Sequence, residues 1–313
     1  MDVPLIDIAG LPDDPVAIEG VARACEQWGF FKVTGHGIDD SLVDDFMSAM
    51  RTFFEQPEPL RQSVLRSREN PMGYYDRELT KNTPDWKQVF DYGIDLADPG
   101  THVPSRWPAL PGFRETMIAW FDACTGVSFR LLGALEVSLD VRPGTLARSF
   151  RPVHTSFVRL NYYPPCDDPA PEDSGTVVER GLLGVNRHTD AGALTVLVQD
   201  DVASLQVNRD GIWHTVQPDK RALVINAGDM LQVWSNDRFK AAEHRVLARD
   251  TAERFSAPYF FNPAFETNCV PLGVSSAEAV YNPVNWGHFR TARADGDYAD
   301  YGEEIQISQF RKR

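Results

Sequence analysis

The chain has 313 residues, 42% of them hydrophobic and 24% charged, with 22 Gly and 22 Pro, a composition that excludes a disordered or fibrous protein. At this length roughly three quarters of the unfolded surface can be buried, so no disulfide or structural metal is needed to make a core, and any metal belongs to chemistry. The formal net charge of −14 repels phosphate backbones and anionic headgroups, which argues against nucleic-acid and membrane-surface partners.

In chain order, MDVPLIDIAG opens without a basic n-region or an apolar h-region, and no later apolar run approaches the ~18 residues of a membrane span. Pro15 to Trp28 carries Val16, Ile18, Val21, Ala22 and Cys25 at helical spacing, and GFFKVTGHG then reads as a short strand entering a Gly-rich turn. Ser41 opens a second helix with Leu42, Val43, Phe46, Met50 and Phe53 on one stripe. The stretch NPMGYYDRELTKNTPDWKQVFDYG is aromatic, polar and rich in turn formers, as in loops that line a mouth. A long helix follows from Phe113 to Leu139, with Met117, Trp120, Phe121, Cys124, Val127, Leu131 and Leu135 at three- and four-residue steps.

The pattern changes near residue 150. FVRLNYYP, ALTVLVQ, SLQVN, GIWHTV, ALVINAGDM, HRVLAR and RFSAPYFF are short strand-like runs between turn residues, which predicts a β-sandwich or jelly roll. The polar tail from about Glu278 reads as partly helical, wrapping the sheet. The expectation is an α+β chain with a mainly β core, folded as one unit. Cys25, Cys124, Cys166 and Cys269 are widely spaced without a CxxC pair, which reads as reduced thiols in a cytoplasmic protein.

Chemistry concentrates in the second half. His188 and Asp190 in NRHTDAG are two positions apart, so on an extended strand both face one ion, and His244 in AAEHRVLAR is the best third ligand. Two imidazoles and a carboxylate on one face of a metal form the facial triad of non-haem Fe(II) oxygenases. Taken alone HxD is a weak signal. Ten residues beyond His244, Arg254 and Ser256 in ERFSAPYFF also project together, and a guanidinium with a hydroxyl can hold one carboxylate.

With these motifs assembled, NYYPP, NRHTDAGALTVLVQ, SLQV, INAGDMLQVWSN, EHRVLARDTAERFSAPYFFNP, GFFKVTGHGI and DWKQVFDYG resemble the isopenicillin N synthase-like branch of 2-oxoglutarate and Fe(II)-dependent dioxygenases. The likeness runs from Val3 to about Pro263. It implies a double-stranded β-helix, a jelly roll with an N-terminal helical region and a C-terminal helix over its mouth. It divides the chain into an N-terminal dioxygenase region, 1–110, and a remainder, 111–313, holding the long helix, a catalytic core at approximately 154–263 and a C-terminal segment. By this likeness His188, Asp190 and His244 match the iron ligands, Arg254 and Ser256 the pair that holds the distal carboxylate of 2-oxoglutarate, and Tyr163 and Asn161 positions on the co-substrate side.

The implied activity is oxidation, chiefly hydroxylation, of a small organic molecule with Fe(II), 2-oxoglutarate and dioxygen, releasing succinate and CO2. Within the fold the rival is an iron oxidase that does not use 2-oxoglutarate, and outside catalysis a 2-oxoglutarate-binding sensor. Oligomeric state and substrate identity are not legible. Candidate substrate contacts are Tyr74, Tyr75 and Phe90 in the N-terminal loop and Phe260, Phe261 and Asn262 after the RxS strand, with the segment Tyr298 to Phe310 as a further determinant of substrate choice. His36 reads as a structural residue in its turn, His154 precedes a core strand, and His102, His214 and His288 show no partner pattern. Trp213 and Trp234 read as core or wall aromatics, and Arg187 as facing away from His188 towards a carboxylate.

Overall fold

Helix α1 (Pro15–Gln27) begins where the Asp14 side chain accepts a hydrogen bond from Val16 N at 2.9 Å and Pro15 occupies the first turn. Strand β1 (Leu5–Asp7) precedes it, β2 (Phe30–Thr34) follows, and α2 (Asp40–Phe54) buries Val43, Phe46, Met50 and Phe53 along one stripe. The computed structural model describes residues 2–67, 69–93, 103–175, 178, 180–219, 221–298 and 304–312, with the side chains of 294–298 left aside. Between β2 and α2 the turn needs Gly35, whose φ is +63° and whose place would bring a Cβ within 2.1 Å of Asp7 Oδ1.

The remaining N-terminal elements are α3 (Glu58–Gln62), β3 (Gly73–Tyr75), the two-residue strands β4 (Leu79–Thr80) and β5 (Thr83–Pro84), and β6 (Gln88–Gly93). The first half is therefore less purely helical than its pattern predicts. After α4 (Phe113–Ser138) come β7 (Phe157–Tyr163), β8 (Leu183–His188), β9 (Leu194–Gln199), β10 (Leu205–Arg209), β11 (Ile212–Thr215), β12 (Leu223–Ala227), α5 (Asp229–Trp234), β13 (His244–Leu247) and β14 (Arg254–Phe261). The short pair β15 (Asn268–Cys269) and β16 (Val284–Asn285) leads into α6 (Trp286–Tyr298).

Two sheets face each other in a double-stranded β-helix: an eight-stranded one in the order β1-β2-β12-β9-β14-β7-β6-β3, and a four-stranded one in the order β11-β10-β13-β8. Strands of the N-terminal region thus complete both edges of the larger sheet. Side chains alternate across each strand, so the larger sheet has two different faces. One face packs on α1, α2 and α4 in the main apolar core, which includes Phe46, Phe90, Trp120, Val158, Tyr259 and Phe261. The other closes on the smaller sheet through Tyr163, Val185, Leu197, Leu205, Val207 and Val246.

Helix α4 corrects one expectation: it is long and apolar enough by length and composition to cross a bilayer, but half of its apolar window is buried within the protein. Met117, Trp120, Phe121, Cys124 and Leu131 lie in the core, so it is the central helix on which the larger sheet rests. All four cysteines are buried and free.

Candidate active site

The register of β13 against β8 sets His244 opposite His188, with ring centroids 4.2 Å apart. Strand β8 ends at His188, so Asp190 lies on the loop beyond it rather than on the extended strand that the spacing suggests. That loop is held by backbone contact with the AGD turn, where Asp229 N donates to Asp190 O at 2.8 Å. Only glycine fits at 228, since a Cβ there would come within 2.3 Å of Gly192 O. Asp190 Oδ1 then sits 3.6 Å from Nε2 of both histidines, and the three ligand atoms lie within 4.8 Å of one another.

Each ligand is prepared for a metal. Nδ1 of His188 faces Asn186 O at 2.8 Å and Nδ1 of His244 faces Ala242 O at 3.2 Å, so the N–H of each ring is committed to a carbonyl and Nε2 carries the free lone pair. Asp190 Oδ2 accepts from the Thr195 hydroxyl and from Asn226 Nδ2 at 2.7 Å, which turns Oδ1 towards the histidines. Burial and the neighbouring His244 hold His188 well below its ordinary pKa, and hence neutral. Burial opposes the charge of Asp190, but the two histidines, Asn226 and Thr195 outweigh it and its pKa falls. A neutral-nitrogen pair with one carboxylate fits Fe(II).

Behind the triad an inner pocket of about 80 Å³ runs between the sheets, lined by Asn161, Tyr163, Thr195, Asn226, Arg254 and Ser256 among others. Arg254 and Ser256 project together from β14, with Nη1 donating to Ser256 Oγ at 3.2 Å. Nη2 donates to Gln199 Oε1 at 2.8 Å, and the guanidinium lies 5.0 Å from the Tyr163 ring. Arg254 is only 1% exposed, yet among the described residues no carboxylate lies within ion-pair distance of it. Arg254 Nε, Gln199 Nε2 and Asn161 Oδ1 are buried without a hydrogen-bond partner. A buried cation beside unused donors fits the distal carboxylate of 2-oxoglutarate.

In front of the triad an outer cavity of about 200 Å³ opens beneath α6 and shares His188, Asp190, Lys87, Arg159 and Phe260 with the inner pocket. Phe260 and Asn262 line this cavity. Phe261 does not, because a one-residue step on β14 turns it to the helical face, where it stacks on Phe150 at 3.9 Å. Phe90 is likewise core, 4.8 Å from Phe53 and 5.7 Å from Phe113. Tyr74 pairs across the ladder with Phe90, its hydroxyl 3.0 Å from Gln88 Oε1, and Tyr75 lies beneath the Arg66 guanidinium at 4.0 Å. The expectation that these four aromatics contact substrate is therefore corrected: they pack. Of the C-terminal segment, residues 299–303 and the Tyr298 side chain lie outside the described residues, while Phe310 packs on Phe289 at 5.8 Å.

Sequence reasoning missed the charged wall of the cavity. Glu78 is bonded by Arg66, Lys87 and Arg159 at 2.8 to 2.9 Å, Asp91 by Arg159 at 2.8 Å, and Asp85 lies 3.1 Å from Lys87. The three cations hold Glu78 below the usual carboxylate range despite its burial. The signal was strand alternation: Arg159 stands two positions before Asn161 on β7, and Lys87 and Asp91 share one face of the β6 segment. Elsewhere His36 accepts from Ile38 N and faces Arg221 O at 2.9 Å, Arg187 pairs with Glu243 at 2.9 Å, and Trp213 lies under Arg245. His154 packs on Phe121, away from the pockets.

The fold and the triad together define a non-haem iron oxygenase built on a double-stranded β-helix. Residues 154–263 match the 2OG-Fe(II) oxygenase superfamily, and residues 3–110 match the family described as non-haem dioxygenase in morphine synthesis N-terminal. Flavone synthase of Petroselinum crispum is 33% identical over 290 residues, 88% of this chain and 75% of the relative. Gibberellin 2-beta-dioxygenase 5 of Oryza sativa subsp. japonica is 30% identical, covering 100% of this chain and 88% of the relative. Among solved structures, JOX2 in complex with 2OG, Fe and JA superposes with a TM-score of 0.86 at 28% identity, covering 100% of this chain and 90% of that one. The chain belongs to the 2OG-Fe(II) oxygenase superfamily: it is an Fe(II)- and 2-oxoglutarate-dependent dioxygenase.

Proposed function

We propose that this enzyme hydroxylates a small organic molecule lodged in the outer cavity, in a cytoplasmic setting that agrees with four free, buried cysteines. His188, Asp190 and His244 hold the iron, and Arg254 and Ser256 hold the distal carboxylate of 2-oxoglutarate, with Tyr163 and Asn161 beside it. When bound, iron with 2-oxoglutarate and dioxygen supplies an oxidant that breaks a substrate C–H bond and leaves succinate and CO2. The chain's own work is positioning. Thr195 and Asn226 orient Asp190, and the carbonyls of Asn186 and Ala242 fix the imidazole tautomers. Val185, Leu197, Leu205 and Val246 keep water from the inner pocket, which strengthens each polar contact made there.

The observation that carries this reading is the buried Arg254 behind the triad, which among the described residues has no carboxylate within ion-pair distance. Losing a charge-assisted contact to a buried carboxylate costs on the order of 2–5 kcal/mol, which is more than tenfold in affinity. Arg254→Ala should raise the 2-oxoglutarate concentration needed for half-maximal succinate release by more than tenfold while metal still binds. Equal 2-oxoglutarate dependence in both proteins would contradict the assignment.

A further inference from the structure

Five cationic side chains line the outer cavity: Arg66, Lys87, Arg159, Arg290 and Arg293. Four of them face a carboxylate at close range, the first three through Glu78 and Arg293 through Glu304 at 2.7 Å. Arg290 differs. Among the described residues no carboxylate lies within ion-pair distance of it, and no hydrogen bond or ring contact engages it. Arg290 is half-buried, and loss of part of its water, with no anion among the described residues to offset it, pushes its pKa down to about 10, so the group remains charged at neutral pH.

The position of this group is built. Trp286, Arg290 and Arg293 fall on one face of α6 at i, i+4 and i+7, and all three line the cavity. Trp286 is buried and its Nε1 donates to Thr155 Oγ1 at 2.8 Å. Arg293 donates to Thr189 O at 2.9 Å and to Ile305 O at 3.0 Å. The helix is therefore pinned on either side of Arg290. Much of the remaining wall is apolar, through Met72, Leu79, Phe157, Val185, Phe260 and Trp286. A guanidinium that nothing among the described residues pairs is costly to keep beside such a wall, and in a chain of net charge −14 it is not a by-product of excess basic residues.

We propose that Arg290 anchors the carboxylate of an otherwise apolar substrate, so that the enzyme selects small organic acids over their neutral counterparts. This rests on the reading of the outer cavity as the substrate site. A planar carboxylate matches the guanidinium fork with two parallel hydrogen bonds, and a neutral ester leaves the charge unpaired, which is the strong form of discrimination.

The test uses the full chain loaded with Zn(II), which has no redox chemistry, and with saturating 2-oxoglutarate to fill the Arg254 pocket. Binding of 3-phenylpropanoic, 4-phenylbutanoic and decanoic acids is compared with that of their methyl esters by calorimetry. At least one acid should bind the wild type more than tenfold tighter than its ester. In Arg290→Gln that ratio should fall towards one, and Arg290→Lys should keep part of it. The melting temperature of Arg290→Gln without ligand should hold or rise, because the change removes a partly desolvated charge that makes no hydrogen bond, ion pair or ring contact among the described residues. Equal binding of acid and ester by the wild type, no acid binding, an unchanged ratio in Arg290→Gln, or a marked fall in its melting temperature would each overturn the proposal. Succinate release from 2-oxoglutarate is followed separately with Fe(II). An Arg290-dependent acid preference without any such turnover would overturn the oxygenase reading and leave the anchor standing; turnover without acid preference would do the reverse.

Discussion

Asp190 shows how much of a metal site lies outside its ligands. One carboxylate oxygen is taken by Thr195 and Asn226, which leaves the other aimed at the two imidazoles. Removing such an orienting partner typically costs 10–100-fold in metal affinity. Asn226→Ala should weaken Fe(II) binding by about that factor in a direct titration; unchanged affinity would show that Asn226 does not orient the ligand. The ligands themselves were legible, because HxD, a later His and RxS are fixed spacings of chemically specific types. Thr195, Asn226 and Gln199 were not, since each reaches the site only through the register of β9 with β12 and β14, which no local pattern reports.

At the scale of elements, strand alternation decides which side chains face the pockets and which face the core. On β14, Arg254, Ser256, Pro258 and Phe260 line the inner pocket, whereas Phe255, Ala257, Tyr259 and Phe261 belong to the main core. Similarly, the β6 segment sends Phe90 and Tyr92 into the core, while Lys87 and Asp91 line the outer cavity. Phe90→Ala should therefore lower stability by about 3–5 kcal/mol, the usual cost of truncating a buried Phe, with a matching shift in denaturant midpoint. A stable Phe90→Ala protein with altered substrate preference would return that residue to the substrate wall. The long helices were read from the sequence to within two residues because one stripe on each is apolar and their ends carry caps or turns. Strand β6 was not, because charges on one of its faces and aromatics on the other make a mixed string without a clean apolar period.

For the whole molecule, the charged cluster is a seam as well as a wall. It joins Arg66, Glu78, Asp85, Lys87 and Asp91 of the N-terminal region to Arg159 of the β-core, beside the ladder that β6 forms with β7. Breaking a buried ion pair by neutralising one partner costs about 3–5 kcal/mol, because the opposite charges stay buried. Glu78→Gln should destabilise the protein by about that much. The pH dependence has a definite sign. The pKa of Glu78 is lowered in the folded protein, so its contribution is fully present above the unfolded value of ~4.3 and is lost as pH falls through the folded one. The gap in melting temperature between wild type and Glu78→Gln should therefore be widest at neutral pH and narrow on acidification below the carboxylate range; a gap independent of pH would rule out an ionic origin. Jelly roll and flanking helices were evident from the change of period near residue 150, but this seam joins residues up to 81 positions apart and depends on the closed sheet. The proposed function requires the triad and Arg254 to act together on one metal and one keto acid. Its most direct measurement is an anaerobic titration with Fe(II) and 2-oxoglutarate, followed by visible absorption. The wild type should develop the weak charge-transfer band of an iron-bound keto acid, and Asp190→Ala and His244→Ala should not; no band in the wild type, or one of equal strength in both variants, would contradict it.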